Sequence, residues 1–445
     1  MRVAFATLGC RLNQFETDLM ADAFRADGCE TVPFSTEADV YVINTCTVTA
    51  RADGDSRRLI RQAVRRNPLA FVVATGCYAQ ANPQALLGIE GVDLVLGNAE
   101  KGEVLRYLRD FAWGSPPRAA VGDIRALRTF QVAAAPTEVS RTRPFLKVQD
   151  GCDFACTFCI IPAVRGPNRS LPPEAAVADA RRLAAAGHPE VVLTGVNLGT
   201  YGWDFTPRVW LSDLVRRILA ETDLPRLRLS SLHPHEVRED LIGLMAESGR
   251  ICRHLHLALQ SGDDGILRAM ARSYRARHFR QTVRLAVEAA PGVAIGADVI
   301  VGFPGETEEA FRNTVALLAE LPVAYLHVFT YSTRAGTRAA TMPDHVPPDV
   351  KARRNAVLRA LALEKSLAFR QRAVGQVLPA VVLSERDQAT GRLTALTDNY
   401  IPILVEAEDR LQGQAVRVRV EQVTAARVTG SIVTGVRTGT LREIA

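Results

Sequence analysis

Three cysteines between residues 152 and 159 are spaced C-x3-C-x2-C, within the segment GCDFACTFCI. Thiolates this close together can hold three irons of a cubane iron–sulfur cluster. No further cysteine follows before Cys252, so the fourth iron would keep an open position for a chelating ligand. A zinc site is the alternative, but zinc needs a fourth Cys or His at short spacing. The sequence therefore predicts a cluster at Cys152, Cys156 and Cys159.

A second set of cysteines is related by position along the chain. Cys10 follows the apolar run VAFATLG, Cys46 follows VYVINT and Cys77 follows FVVATG, at intervals of 36 and 31 residues. Each interval is one βα unit, and parallel strands end along one rim of a sheet, where ligands bind. The three thiols could therefore meet and hold a second cluster. Taken singly, each is equally typical of a buried packing cysteine, which is the role expected for Cys29 and Cys252.

The elements that must position these cysteines follow an α/β pattern. Up to about residue 110, apolar runs typical of buried parallel strands alternate with amphipathic helical stretches such as 51–66. This predicts a parallel α/β amino-terminal sheet in a first domain over residues 1–112. Residues 111–140 are rich in Pro, Gly and Ala and are expected to form a linker.

A second βα series begins near Arg143 and contains six strand candidates over about 190 residues, typical of a partial or full barrel. One long helix is expected over 349–373. After Gly375, four short alternating strands without helices predict a small closed β-barrel similar to oligonucleotide-binding barrels. The expected domains are a barrel core over 138–368 and a small β-barrel domain over 371–438.

Composition and charge set the class of protein. The 445 residues are 47% hydrophobic and 23% charged, without an apolar run long enough for a spanning helix, and a cytoplasmic location without membrane contact is expected. The formal charge of +6 suits an anionic partner such as nucleic acid but does not require one. Nearly all the positive charge is arginine. A genome-wide bias in amino-acid composition would produce the same excess of arginine.

Six motifs carry a resemblance to a known family. TLGCRLNQFETD (7–18), NTCTVTARAD (44–53), TGCYAQ (75–80), GCDFACTFCIIPAVRGPNRS (151–170) and DVIVGFPGET (298–307) resemble the radical-SAM methylthiotransferases. The last motif, LTDNYIPI (396–403), looks like the TRAM domain of the tRNA-modifying members. The resemblance covers essentially the whole chain. It implies a methylthiotransferase amino-terminal domain, a radical-SAM core and a TRAM domain.

The resemblance also implies the cofactors and their ligands. Members of this family carry two [4Fe–4S] clusters and use S-adenosylmethionine (SAM). By resemblance, Cys152, Cys156 and Cys159 hold the catalytic cluster that cleaves SAM to a radical, with Phe158 as the accompanying aromatic. Cys10, Cys46 and Cys77 hold the auxiliary cluster that presents sulfur. A radical route suits an aromatic C–H bond, which is too inert for polar chemistry at neutral pH.

The words TLGCRLNQFET and NTCTVT are most similar to the branch acting on N6-threonylcarbamoyladenosine beside the tRNA anticodon, at position 37. The expected partners are the anticodon stem-loop and a reducing protein such as flavodoxin or ferredoxin; no DNA partner is expected. Single-stranded loops suit small β-barrels and basic grooves. The alternatives are methylthiolation of isopentenyladenosine in tRNA or of an aspartate of a ribosomal protein, and a non-enzymatic iron–sulfur carrier that binds RNA.

Polar residues at the ends of the barrel strands are candidates for SAM contacts, although turn formation or internal hydrogen bonding would explain each of them as well. These candidates are Thr194, Gly195, Asn197, Ser230, Ser231, Gln260 and Asp298. Arg165, Arg169 and the arginine-rich helix at 352–372 are candidates for phosphate contacts, with solvated surface as the alternative. His233 and His235 flank Pro234, which favours a turn. The segment from Gly302 to Thr307 lacks the lysine of a phosphate-binding loop and predicts a strand-to-helix turn.

Overall fold

The computed structural model describes residues 1–111, 114–139 and 141–433, which form two compact units. The first unit comprises residues 1–138, 149–171 and 332–341. The second comprises residues 139–148 and 172–331 and, within the described part of the chain, residues 342–433. The domain boundaries expected from the sequence remain predictions, and residues 112 and 434–438, where two of those domains end, lie outside the described residues.

The amino-terminal part of the chain alternates strands and helices, as the sequence predicts. Its six-residue runs of Val, Ile, Ala and aromatic residues suit strands buried on both faces. In chain order the elements are β1 (Arg2–Thr7), α1 (Arg11–Ala26), β2 (Glu30–Val32), β3 (Val40–Thr45), α2 (Ala50–Arg66), β4 (Phe71–Gly76), α3 (Cys77–Ala81), α4 (Pro83–Leu87), β5 (Leu94–Leu96), α5 (Val104–Arg109) and β6 (Arg118–Ala120).

The strands form one parallel sheet in the order β2-β1-β3-β4-β5-β6. Strands β3 and β4 are buried along their whole length, and successive residues such as Val42 and Ile43 pack into apolar clusters on opposite faces. The linker expected over 111–140 is wrong for residues 118–120, which pair with β5 as the sixth strand.

The middle of the chain continues the βα alternation in smaller steps. Its elements are β7 (Phe145–Lys147), β8 (Gln149–Asp150), α6 (Ile161–Arg165), β9 (Arg169–Ser170), α7 (Pro173–Ala185), β10 (Val191–Thr194), α8 (Leu211–Glu221), β11 (Leu227–Leu229), α9 (Glu239–Glu247), β12 (His254–Gln260), α10 (Asp264–Ala269), α11 (Ala276–Ala289), β13 (Ala294–Val301), α12 (Glu308–Glu320), β14 (Tyr325–Thr330) and α13 (Pro348–Gln371).

In the second unit, six parallel strands form an open barrel. Strands β7, β10 and β11 make one sheet and β12, β13 and β14 make another. Parallel bridges from Leu227 to Ile251 and from Leu232 to Leu257 join the two. The short antiparallel pair β8–β9 belongs to the first unit and encloses the C-x3-C-x2-C segment.

The carboxyl-terminal strands close into a small barrel in the order β15-β16-β17-β19-β18. It contains one strand more than the sequence predicts, and its core consists of aliphatic side chains such as Val382, Leu393 and Ile403. The predicted α/β class, with a parallel sheet, a partial barrel and a small β-barrel, is confirmed. Among the described helices, none combines the length and apolar character needed to cross a bilayer. The strands are β15 (Val377–Arg386), β16 (Leu393–Thr397), β17 (Pro402–Val405), β18 (Ala415–Val423) and β19 (Val428–Ile432).

Candidate iron–sulfur sites

The cysteines that follow β1, β3 and β4 lie at the carboxyl ends of three adjacent strands. Cys46 directly follows β3, Cys77 directly follows β4, and Cys10 precedes helix α1. A Cβ built on Gly9, where φ is +95°, would lie only 2.8 Å from the Cys46 sulfur. Glycine at this position therefore lets the backbone beside Cys10 approach that sulfur. The structure brings these three predicted ligands to one rim of the sheet.

The chemistry of this rim suits a soft, positively charged group. Cys46 and Cys77 are buried and Cys10 is exposed. The pKa of the Cys46 thiol is raised to about 11, first by burial and then by the nearby Cys77 and Cys10. Ionising the Cys46 thiol is thus costly in the protein alone, whereas a coordinated thiol is deprotonated outright. A three-sulfur donor set with two buried members fits an iron–sulfur cluster.

A buried arginine lies beneath this rim. Arg165, at the end of α6, is 1% exposed and donates from Nη1 to Glu16 Oε1 at 2.8 Å and to Asp150 Oδ1 at 3.1 Å. Its Nη2 donates to Asn13 Oδ1 at 2.6 Å. Asn13 in turn donates to the Thr45 carbonyl at 3.0 Å, one residue before Cys46. Arg165 therefore supports the backbone that carries one of the cysteines.

A buried lysine supports another cysteine through an asparagine. Lys101 forms an ion pair with Glu16 and donates to Asn98 Oδ1 at 2.6 Å. The Asn98 amide donates to the Val164 carbonyl at 2.6 Å and lies 3.7 Å from the Cys77 sulfur, within the range of an N–H···S hydrogen bond. The same side chains thus connect Cys77 to the segment that follows the second cysteine motif.

The C-x3-C-x2-C segment is a loop between β8 and α6. Gly151 has φ +71°, and a Cβ there would overlap the Pro167 carbonyl oxygen, so the loop requires glycine before its first cysteine. Cys152 N donates to the Gly166 carbonyl at 3.0 Å, and Cys159 N donates to the Cys156 carbonyl at 3.1 Å. All three cysteines are partly exposed. Three sulfurs on one tight, accessible loop fit a cluster that must admit a further ligand.

Phe158 is partly exposed in this loop, and the other predicted SAM contacts lie in the second unit. Thr194 ends β10, Gly195 follows it, Ser230 follows β11, and Gln260 ends β12 with φ +67°. The hydroxyls of Thr194 and Ser230 are buried, and neither finds a hydrogen-bond partner within the described residues. Buried hydroxyls generally have partners, so these two fit a polar ligand.

Of the remaining three candidates, Ser231 is exposed, and the other two are engaged within the barrel. Asn197 donates to Glu236 Oε1 at 2.8 Å. The Asp298 carboxylate lies inside β13, 2.8 Å from His256 Nε2 and 3.2 Å from His327 Nδ1. Burial opposes ionisation of Asp298, but the bonds from the two histidines lower its pKa to about 2. The two side chains therefore already have partners, unlike the hydroxyls of Thr194 and Ser230.

The prediction that Arg165 and Arg169 contact phosphate is wrong, because both guanidinium groups are buried against Asp150. On the long helix, Arg354 is likewise buried against Glu306, whereas Arg353 and Arg359 are exposed. The expected turn at Pro234 is confirmed as a short 3-10 helix over Pro234–Glu236.

Sequence reasoning missed the side chains that support the cysteines. Glu16, Asn98 and Lys101 are ordinary residue types in helices and loops, and nothing in their spacing relates them to Arg165. One signal was present: Lys101 is one of only four lysines in a chain that otherwise uses arginine. The HLH segment at 254–256 was a signal for a different group, the histidines around Asp298. His254 and His256 alternate along a strand and therefore share a face, and His256 contacts Asp298.

Comparisons with known proteins show the family and the fold of the chain. A family model described as the Radical SAM superfamily matches residues 146–318, and one described as uncharacterized protein family UPF0004 matches residues 2–97. A radical S-adenosylmethionine methyltransferase, TsrM of Kitasatospora setae, has a similar fold, with a TM-score of 0.57 and 18% identity over 76% of this chain and 77% of that one.

Curated relatives match along nearly the whole chain. The threonylcarbamoyladenosine tRNA methylthiotransferase MtaB of Aquifex aeolicus is 43% identical over 94% of this chain and 100% of its own length. The protein of the same name from Bacillus subtilis is 38% identical over 94% and 93%. A tRNA-2-methylthio-N(6)-dimethylallyladenosine synthase of Bacillus cereus is 33% identical over 96% and 85%. The chain therefore belongs to the radical-SAM methylthiotransferase family, in the branch of the threonylcarbamoyladenosine tRNA methylthiotransferases.

Proposed function

We propose that this enzyme converts N6-threonylcarbamoyladenosine at position 37 of tRNA to its 2-methylthio derivative, using SAM and two [4Fe–4S] clusters. The observation that carries the proposal is the presence of two three-cysteine sites within one compact unit, each with sulfur as the donor. The named relatives, which match nearly the full chain, support the threonylcarbamoyladenosine branch.

The two cysteine sets have different roles in this proposal. Cys152, Cys156 and Cys159 hold the catalytic cluster on an accessible loop, and Cys10, Cys46 and Cys77 hold the auxiliary cluster on the sheet rim. When bound, the clusters together with SAM supply the radical and the sulfur that the reaction needs. The protein orients these groups: glycines at positions 9 and 151 bring the backbone close, and the buried side chains around Arg165 fix both segments.

SAM binds at the carboxyl ends of the barrel strands, where Thr194 and Ser230 present buried hydroxyls without protein partners among the described residues. Gly195 and Gln260 border the same strand ends. Phe158 lies in the cysteine loop of the first unit and accompanies the catalytic cluster there. Asn197 and Asp298 act through the partners they already hold, Glu236 for the first and two histidines for the second.

The nucleic-acid partner is the anticodon stem-loop of tRNA. The small β-barrel and the exposed arginines of α13, Arg353 and Arg359, support this assignment because phosphates attract arginine and small barrels suit single strands. A flavodoxin or ferredoxin in the cytoplasm supplies the electrons. We retain the division into a methylthiotransferase amino-terminal domain (1–112), a radical-SAM core (138–368) and a TRAM domain (371–438).

Nucleoside analysis tests the proposal. A strain lacking the gene is complemented with the wild-type chain or with the Cys46→Ala variant, and digested tRNA is examined by mass spectrometry. We expect 2-methylthio-N6-threonylcarbamoyladenosine only with the wild type. Restoration of the isopentenyl derivative instead would move the chain to the other tRNA branch, and unchanged tRNA with a modified ribosomal protein would assign a protein substrate. Absence of 5′-deoxyadenosine from SAM under strong reductant would leave only the carrier function.

A further inference from the structure

Five charged side chains form a buried charge network in the first unit: Glu16, Lys101, Asp150, Arg165 and Arg169. Arg165 bridges both carboxylates, Lys101 pairs with Glu16, and Arg169 lies 3.7 Å from Asp150. Four of the five residues are no more than 5% exposed, and Asp150 is only slightly more accessible. Three of these five side chains are cations, and all three are buried in the protein interior.

A buried charge acts strongly on neighbouring groups, because the protein interior screens it less than water does. Two of the buried cations are linked to the auxiliary cysteines through asparagine side chains. Asn98, which accepts from Lys101, contacts the Cys77 sulfur at 3.7 Å. Asn13, which accepts from Arg165, holds the carbonyl that precedes Cys46.

We infer that Arg165, with Lys101, raises the reduction potential of the cluster held by Cys10, Cys46 and Cys77. A cluster becomes more negative when it accepts an electron, so a nearby buried cation stabilises the reduced form. This inference rests on the proposed function, which assigns a cluster to these cysteines. Arg165 is a positioning residue here, because it acts on the cluster through charge and through Asn13.

The position of Arg165 in the chain gives this role a structural consequence. It ends the helix that begins two residues after Cys159, so the segment of the catalytic motif itself carries the charge beneath the auxiliary site. The Val164 carbonyl, one residue earlier, accepts from Asn98. Two hydrogen bonds therefore join the segments of the two cysteine motifs. One runs from the Asn98 amide to the Val164 carbonyl, and the other from the Arg165 guanidinium to Asn13.

The test is a redox titration of the full-length chain carrying C152A, C156A and C159A, which retains only the auxiliary site. The chain is reconstituted with iron and sulfide, and the reduced cluster is followed by electron paramagnetic resonance. Into this background we introduce R165M, R165K, E16Q or K101M. R58M on the exposed face of α2 is the matched control, since Arg58 is largely exposed and pairs with Asp55 at the surface.

Removing a cation and removing an anion should act in opposite directions. At a fixed solution potential, R165M is expected to lower the ratio of reduced to oxidised cluster at least tenfold. This corresponds to a fall of about 59 mV or more in the reduction potential of a one-electron couple. K101M should lower the reduction potential by less than R165M does, and R165K should lower it only slightly because the positive charge remains. E16Q should raise the reduction potential, and R58M should leave it unchanged. A purely structural role predicts no such reversal of sign.

Two results would overturn the inference. If R165M and E16Q shift the potential in the same direction, or neither shifts it, the network does not act through charge. If R165M fails to hold the cluster, E16Q and K101M are compared instead. The inference then requires E16Q to raise the reduction potential and K101M to lower it. If the parent chain with the three alanines binds no cluster at all, the proposed function fails first, and the inference that rests on it fails with it.

Discussion

Arg228 and Glu190 form a fully buried ion pair within the second unit. Arg228 Nε donates to Glu190 Oε1 at 2.7 Å, and Nη2 lies 3.2 Å from Oε2. The remaining donors of the guanidinium reach the carbonyls of Thr397 and Asp398, each at 3.0 Å. The carboxylate beside β10 thus orients an arginine of β11 toward the turn between β16 and β17. This pair anchors the small β-barrel to the larger one.

Arg228→Met should therefore destabilise the protein strongly. The variant loses both carbonyl contacts and leaves Glu190 with fewer cations in an interior where its charge is costly. We expect a loss of about 3–5 kcal/mol in the free energy of unfolding, measured by urea denaturation. Arg216→Met is the control, because the exposed pair of Arg216 with Asp213 should contribute less than about 1 kcal/mol. Equal effects of the two substitutions would contradict this account.

Two glycine substitutions should separate the two cysteine sites. Gly76 immediately precedes Cys77, and a Cβ there would overlap Asn44 Oδ1. Gly151 immediately precedes Cys152, and a Cβ there would overlap the Pro167 carbonyl. Both glycines have positive φ, so alanine is strained at each position as well. We expect either variant to bind about four irons per chain after reconstitution instead of about eight.

The activities of the two glycine variants should differ. Gly151→Ala should abolish formation of 5′-deoxyadenosine from SAM, whereas Gly76→Ala should retain it and lose only the methylthio product. Gly54→Ala is the matched control in α2, where a Cβ meets nothing within 4 Å, and a helical alanine should stabilise by about 0.5–1 kcal/mol. If Gly76→Ala also abolished SAM cleavage, the assignment of separate sites would be untenable.

The sequence predicts the ligand set and the fold class but not the interactions that connect them. Cysteine spacing is restricted by the cluster it must hold, and βα alternation follows from burial, so both leave a local pattern. The pairing of Arg165 with Glu16 spans 149 residues and depends on packing that no local pattern encodes. Short strands such as β6 and β19 were missed because RAA and VTGSI lack a clear apolar alternation.

Thr194→Val should weaken SAM binding without weakening the fold. The buried hydroxyl has no partner in the described part of the protein, so valine removes an unsatisfied group from the SAM-free enzyme. We expect unchanged or slightly higher thermal stability without SAM, and an affinity for SAM reduced about fivefold, the value of one neutral hydrogen bond of about 1 kcal/mol. Equilibrium dialysis with labelled SAM measures the second quantity.

Thr222→Val provides the opposite result for comparison. The Thr222 hydroxyl is buried and donates to the Ile218 carbonyl at 2.7 Å, at the end of α8. Its loss should reduce stability by about 1 kcal/mol and leave SAM affinity unchanged. If Thr194→Val behaved like Thr222→Val, the hydroxyl of Thr194 would have a role in the fold and none in binding SAM.

His233 should make stability depend on pH below about 6.5, the pKa of an unperturbed histidine. Its Nε2 lies 3.1 Å from Arg272 Nη1, and an arginine only donates, so the ring proton must reside on Nδ1, 3.0 Å from Glu236 Oε1. Burial lowers the pKa of His233, with Arg272 adding to this effect and Glu236 opposing it. In the unfolded chain the ring titrates near about 6.5. The unfolded state therefore binds the proton first as the pH falls.

The sign of the effect follows from proton linkage: a state that binds more protons is favoured as the pH falls, so acidification destabilises the folded protein. The contribution of this one group is at most about 1.4 kcal/mol per pH unit below 6.5. His233→Gln removes the titration, and the pH dependence of the urea midpoint should become correspondingly shallower. His345→Gln, at an exposed site, should reproduce the wild-type dependence. A steeper dependence in His233→Gln would mean that the folded state stabilises the protonated ring instead.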